Sequence, residues 1–244
     1  MMWKITLAMT SFLSLTVNAL PAPSATPSSS ASIFSSLLTS FIQNTDLTNC
    51  PLDSITLPAS TLPSPSDDLS LKHIVLGRGT QNYTCVDDTA DSTPSATGAT
   101  ATLFDASCLA SAESLLHLLP EILKPIPLSN DDFLADVLHR LTGQDLVLGR
   151  HYFTADGVPF FDLRRGKGSE DDWVAAKKDS EADAPAKPGY GLTGDVAWLK
   201  LDGTHGGFKE VYRVHTAGGS APENCEGLDG ELTVDYSAEY WFYA

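Results

Sequence analysis

The chain has 244 residues, of which 31 are acidic and 15 basic, giving a formal net charge of −16 with histidine neutral. A surface of this sign repels phosphate backbones, so nucleic acid is excluded as a partner. Acidity is also an ordinary route to solubility for a secreted protein and does not by itself name a ligand.

Residues 1–19 have the layout of a secretory signal peptide. Lys4 precedes an apolar run from Ile5 to Val17, and small residues follow this run. The run is too short to cross a bilayer, whose hydrocarbon needs about 20 residues. We therefore expect a secreted, extracellular protein with no membrane span. A flexible Pro/Ser-rich lead-in is predicted over residues 20–32, and a single β-rich domain over residues 33–244.

The four cysteines are Cys50, Cys85, Cys108 and Cys225, which lie far apart and never as a CxxC pair. This spacing argues against a zinc or redox site. In an oxidising compartment two disulfides are expected, and the sequence alone leaves three pairings open.

Apolar residues at helical spacing predict amphipathic helices over residues 33–41, 109–119 and 133–141. His117 and His139 fall within the last two helices. We expect both at the rim rather than as metal ligands.

Seven or eight strands are predicted. In the last of them, residues 232–243, the side chains of successive residues point alternately to opposite faces. Such alternation fits a strand with one buried face. Because the pattern lacks βαβ alternation, it predicts an all-β fold, an antiparallel sandwich or barrel with a few short peripheral helices. Gly77 and Gly79 are interpreted as a bend or bulge between paired strands. The charged stretch over residues 166–188 is interpreted as a long surface loop.

The segment from Gly189 to Gly194 matches GxGxxG. A dinucleotide site needs a strand before this motif and a helix after it, whereas here a polar loop precedes and a strand follows. No cofactor and no metal are therefore expected.

The Asp156-Gly157 pair favours a β-hairpin with a two-residue turn. That register would place His151 opposite Asp162, close enough for the imidazole and the carboxylate to hydrogen-bond. The carboxylate would then raise the pKa of the histidine, as a catalytic dyad requires. A structural cross-strand pair is favoured, because no nucleophile or metal partner is identifiable beside it.

Two further positions are candidates for function. His205 lies in a predicted glycine-flanked turn, where a side chain can reach a ligand, although an ordinary surface role is favoured. With His151 and Asp162 it completes the set of candidate catalytic residues. Asn82 opens a glycosylation sequon, which is meaningful only if its side chain faces solvent.

Five blocks of sequence, in this order, resemble an uncharacterised secreted microbial family, domain of unknown function 3455: GRGTQNYTC, ATLFDA, GRHYF, YRVHTAGGSAPENC and YSAEYWFY. The similarity covers about residues 70–244. It implies an all-β fold and supplies no established catalytic residues. Relatives keep cysteines that match Cys85 and Cys225, which implies that these two pair and leaves Cys50 with Cys108. Some members are labelled malate dehydrogenase, but nothing in these residues supports that activity.

These observations favour an extracellular or cell-surface binding protein whose ligand is a glycan or a protein. One alternative is an extracellular hydrolase that uses His151 and Asp162. Another is an effector or inhibitor that acts on a host protein. Asp235 and Glu239 share a strand face but lie about 13 Å apart at 3.3 Å per residue, too far for a glycosidase pair. A binding role is therefore favoured over an enzymatic one.

Overall fold

The computed structural model describes residues 50–128, 135, 139, 144–165, 168–185 and 194–244. Within these residues eight antiparallel strands form a closed barrel, in which consecutive strands pair and the last strand pairs with the first. The strands are β1 (Leu71–Cys85), β2 (Ser95–Asp105), β3 (Val147–Phe153), β4 (Pro159–Asp162), β5 (Trp173–Ala182), β6 (Trp198–Gly206), β7 (Glu210–Gly218) and β8 (Gly230–Tyr243). The all-β prediction is confirmed, and the architecture is the barrel rather than the sandwich.

Alternation along the strands points one set of side chains into the barrel. This interior set is apolar or aromatic and includes Val75, Leu103, Leu148, Phe161, Val174, Leu201, Val211, Tyr236, Tyr240 and Phe242. A barrel of eight strands encloses a space that side chains can fill. The interior is therefore the hydrophobic core.

The strict alternation at the end of the chain forms β8, as predicted. The expectation of a single buried face is wrong for its second half, because every residue from Tyr236 to Tyr243 is buried. The short helix Leu119–Leu123 packs on the outside of the barrel against β1, β7 and β8. The outward side chains of β8 are consequently covered as well.

The predicted loop over residues 166–188 is wrong, since β5 lies within it. Its outward side chains are largely charged, and its inward Val174 and Ala176 are small. Because this composition resembles that of a loop, the prediction missed a strand that pairs with both β4 and β6 in the closed barrel.

The predicted bend or bulge at Gly77 and Gly79 is also wrong, because β1 runs through both and its register shifts lie elsewhere. A Cβ on Gly77 would lie 2.7 Å from Cε2 of Tyr240, and one on Gly79 would overlap the Thr100 carbonyl. These glycines are needed for close packing inside the barrel rather than for a turn.

The helix predicted over residues 109–119 is broken. It consists of a 3-10 helix, Ser107–Ala112, followed by the α-helices Glu113–Leu116 and Leu119–Leu123. A further 3-10 helix spans Leu52–Ser54. Of the helices that the structure describes, none is long and apolar enough to cross a membrane.

The predicted signal peptide, the lead-in and the helix over residues 33–41 lie outside the described residues. Most of the helix predicted over residues 133–141 does so too, although Ala135 and His139 are described as helical.

Two disulfides join distant parts of the chain. Cys50 pairs with Cys108 and Cys85 with Cys225, as the family resemblance implies. The second joins the end of β1 to the segment before β8. Each closes a long loop and is expected to stabilise the fold by roughly 2–4 kcal/mol.

Candidate binding site

The hairpin of β3 and β4 does not have the predicted two-residue turn. The Thr154 amide donates to the Val158 carbonyl at 2.9 Å, which leaves the three-residue loop 155–157. Gly157 adopts φ +73° at its end, the left-handed conformation that closes a three-residue hairpin loop. The register is therefore one residue from the prediction, with Arg150 opposite Asp162 and His151 opposite Phe161.

His151 consequently points into the barrel, away from Asp162. Its ring stacks on Phe161 at 4.0 Å between centroids. Nδ1 lies 2.9 Å from the Phe160 carbonyl and must donate to it, because a carbonyl only accepts. Burial, reinforced by the charge of Arg213, lowers the pKa of His151 to about 4. His151 is thus a neutral core residue at ordinary pH.

Asp162 lies on the outer surface and is bonded to Arg164, with oxygen–nitrogen distances of 2.8 and 2.7 Å. These hydrogen bonds lower the pKa of Asp162. His205 is also on the outer surface, exposed in β6 rather than in a turn, and its Nδ1 lies 3.3 Å from Thr204 Oγ1. The predicted His151–Asp162 dyad is therefore not formed, since the two residues lie on opposite sides of the barrel wall.

The true register aligns two rows of outward side chains across the strands. In the first row the paired residues run from β1 to β5: Arg78, Thr102, Arg150, Asp162 and Trp173. The second row includes Thr100 on β2, Tyr152 on β3 and Phe160 on β4. Directly opposed residues have Cβ atoms about 5 Å apart, so each row forms a continuous surface.

A cavity of about 390 Å³ opens on this surface over β1, β2 and β3. We call it the outer groove. Its outward side chains include Thr100, Thr102, Arg150 and Tyr152, and Leu128 closes one edge. The volume lies within the range of small-ligand pockets, and the lining combines hydroxyls, a cation and an aromatic ring.

Tyr152 forms one wall of the outer groove. Its ring packs against Phe160 at 5.2 Å, and Phe160 stacks on Trp173 at 5.3 Å. The guanidinium of Arg164 covers the far side of Trp173, 5.7 Å from the ring centroid. The aromatic row thus holds the Tyr152 ring in place from the β4 side, while its opposite side borders the groove. Tyr152 remains 39% exposed.

The two arginines at the outer groove differ in whether their guanidinium groups can bind a ligand. Arg78 is fully buried and donates to the carbonyls of Gly79, Ile126 and Tyr236 and to Asp235. Arg150 is exposed, and among the described residues it forms no ion pair, because Asp162 opposite it is bonded to Arg164. Arg150 can therefore donate to a ligand.

The comparison with family models supports one assignment. The model described as "Protein of unknown function (DUF3455)" matches residues 65–244. The chain belongs to this family. The DUF3455 match includes all eight strands and every side chain of the outer groove. No curated protein and no solved structure matches the chain.

The other positions singled out in the sequence do not converge on the outer groove. Asn82 lies within β1, half-buried, and its Oδ1 accepts from Thr80 Oγ1 at 2.9 Å. His139 is exposed, and His73 Nε2 lies 3.8 Å from Asp172 Oδ2. Of the GxGxxG segment, only Gly194 is among the described residues.

His117 lies beside two acids. Its side chain is 22% exposed, and its Nδ1 lies 3.0 Å from Oε1 of the buried Glu239. Glu113, four residues earlier, lies 3.5 Å from the other ring nitrogen. Of these two contacts, only the one with Glu113 follows from helical spacing, because Glu239 is distant in the sequence.

Sequence reasoning missed the residues of the outer groove, although a signal for them was present. In GRHYF, Arg150 and Tyr152 share a strand face, and Phe160 falls opposite Tyr152 only when Gly157 ends a three-residue loop. The two-residue turn moved every pair by one position, which places each side chain on the wrong face.

Proposed function

We propose that this protein is a secreted glycan-binding protein and that the outer groove holds a sugar unit of a neutral glycan. Tyr152 packs against the apolar face of the sugar ring. Arg150, Thr100 and Thr102 hydrogen-bond to its hydroxyl groups. The observation that carries the proposal is the Tyr152 ring, packed against Phe160 beside a ligand-sized groove with polar walls.

The chemistry of the groove favours a sugar over a fully apolar ligand. A tyrosine ring presents an apolar surface with little conformational freedom, so little entropy is lost on contact. Sugars combine an apolar ring face with many hydroxyls, which matches one aromatic wall next to side chains that donate and accept. The formal charge of −16 disfavours polyanionic glycans, so a neutral polymer is the better ligand.

The disulfides support secretion, since such bonds persist in oxidising compartments. The hydrolase alternative required His151 beside Asp162, and this pair is not formed. The effector or inhibitor alternative stays a prediction, because none of the described contacts favours it.

Affinity electrophoresis tests the proposal with the purified protein in gels that contain a neutral β-glucan, a neutral xylan or the polyanion polygalacturonate. We expect retardation by a neutral polymer. The Tyr152→Ala variant should lose retardation, and Arg150→Gln should weaken it about tenfold, since a good hydrogen bond to a charged group contributes roughly 1.5 kcal/mol or more.

Two variants away from the outer groove serve as controls. Leu118→Ala removes another exposed apolar side chain, and Arg165→Gln removes another exposed guanidinium. Both should be retarded like the natural protein. Retardation that survives Tyr152→Ala, or that occurs with polygalacturonate alone, would contradict the proposal.

A further inference from the structure

A second cluster of functional groups lies over β7 and β8 and shares no residue with the outer groove. It combines Glu239 on β8, His215 on β7 and His117 just after the helix Glu113–Leu116. One ligand atom from each of the three lies within 4.8 Å of the other two. The glycan-binding proposal does not use any of these residues.

The carboxylate of Glu239 is fully buried and held at both oxygens. Oε1 lies 3.0 Å from His117 Nδ1, and Oε2 accepts from the indole N–H of Trp241 at 3.1 Å. Glu113 Oε1 lies 3.5 Å from Nε2 of His117. Both Glu239 and His117 therefore have a further side chain that fixes their orientation.

His215 reaches this cluster through an unusual backbone. Its φ is +45°, a left-handed value that is costly for a residue with a side chain. The pairing of β7 with β8 shifts register between Val214 and Ala217, so a bulge at this position turns the ring outward. The ring then stacks on His117, with 3.9 Å between centroids and 16° between planes.

A salt bridge between Glu239 and His117 would account for two of the three residues. It does not involve His215, whose ring packs against Trp198, at 4.9 Å between centroids, as well as on His117. Two imidazoles and one carboxylate are the donor set of many zinc sites that keep one position for solvent. Ligating side chains in metal sites are typically oriented by further polar side chains, as Glu113 and Trp241 are placed to do for His117 and Glu239.

We propose that His117, His215 and Glu239 bind a zinc(II) ion. In a tetrahedral zinc site, bonds of about 2.0–2.1 Å place the donor atoms about 3.3 Å apart. A zinc ion lies in the plane of each imidazole that binds it, so one of the two stacked rings has to turn about its Cβ–Cγ bond when zinc binds. The ion replaces the proton between His117 Nδ1 and Glu239 Oε1, and this proton leaves to solvent. Nε2–H of His117 continues to donate to Glu113, and a water molecule completes the coordination.

This inference departs from the expectation of no metal site. That expectation rested on motifs and spacings along the sequence. Here the other two ligands come from β7 and β8, which only the folded barrel brings beside His117.

The test uses the full secreted chain after treatment with a chelator and dialysis. Isothermal titration calorimetry with zinc chloride should show one equivalent bound. Titration with cobalt(II), which replaces zinc, should produce visible absorption bands of tetrahedral intensity. His117→Asn and His215→Asn should each weaken zinc binding by about tenfold or more, and asparagine tolerates the positive φ at position 215.

Matched variants distinguish a defined site from general surface binding. His205→Asn and His73→Asn remove imidazoles outside the cluster and should keep zinc affinity within about twofold. If Glu239→Gln fails to fold, zinc binding by the His117→Asn and His215→Asn variants still tests the proposal. Absence of stoichiometric binding, or binding that persists in both His117→Asn and His215→Asn, would overturn the proposal.

Discussion

The outer surface of the barrel has two regions that differ in what covers them. Over β7 and β8, the helix Leu119–Leu123 and the turn before it cover the strands, and the side chains of Glu239 and Trp241 lose all exposure. Over β2 to β4 the wall is open, and Tyr152 keeps 39% of its surface. A covered face has to pair every polar group, whereas on the open face Arg150 forms no ion pair with any residue that the structure describes and can donate to a ligand.

Three residue types offer a comparison between a buried side chain and a more accessible one of the same type. The pairs are Arg78 with Arg150, His151 with His205, and Trp241 with Trp173. Equivalent substitutions in each pair measure what burial contributes.

The arginine pair should show the largest difference. Arg78→Leu leaves three buried carbonyls without their donor and should destabilise the fold by about 3–5 kcal/mol. Arg150→Leu should change the free energy of unfolding by no more than about 0.5 kcal/mol. Urea unfolding measures both, and equal costs would contradict the assignment of one covered and one open arginine.

The histidine pair should differ in pH dependence. The pKa of His151 is lowered from 6.5 to about 4 in the fold, so on acidification the unfolded chain binds this proton first. Stability is therefore present above pH 6.5 and is lost as the pH falls towards 4, by about 1.4 kcal/mol per pH unit and about 3 kcal/mol in all. His151→Phe should flatten this part of the stability profile.

The matched substitution His205→Phe should leave the acid-dependent loss unchanged, because His205 is exposed. Unfolding by urea at a series of pH values between 7 and 4 gives both profiles. A His151→Phe profile as steep as that of the natural protein would show that His151 is not the neutral core residue described.

The tryptophan pair should show a smaller difference. Trp241→Phe removes the donor to Glu239 Oε2 in a fully buried setting and should cost about 2 kcal/mol. Trp173→Phe, on the half-buried aromatic row, should cost less than about 1 kcal/mol. Thermal unfolding of the two variants measures both costs. A larger loss of stability in Trp173→Phe than in Trp241→Phe would contradict this prediction.

The sequence predicted the elements whose signals are local and missed those set by the closed barrel. The alternation of β8 and the all-β class follow from side-chain period alone, and both are confirmed. β5 was missed because its inward residues are small and its outward ones charged, a pattern that a solvent-exposed loop shares. The hairpin was misaligned because Asp156-Gly157 suits both a two-residue turn and the last two positions of a three-residue loop.

The candidate sites were harder to predict than the fold for the same reason. The outer groove needs the correct register of β2, β3 and β4 together, and one misplaced turn separates its members. The cluster of His117, His215 and Glu239 needs a bulge that no residue pattern announces, and a helix packed against strands about a hundred residues later in the chain.

The smallest expected effect on stability is that of Tyr152→Ala. Its side chain is among the more exposed in the barrel wall, so the free energy of unfolding should fall by no more than about 0.5 kcal/mol. Glycan retardation should nevertheless be lost. A variant that loses both binding and several kcal/mol of stability would make Tyr152 a structural residue instead.

The most direct measurement is an NMR titration of the ¹⁵N-labelled protein with oligosaccharides of the neutral polymer that retards it in gels. The largest amide shift changes should fall on residues 100–102 and 150–152, which form the walls of the outer groove, with little change in β7 and β8. Shift changes confined to other parts of the barrel, while binding persists, would contradict a glycan site at Tyr152.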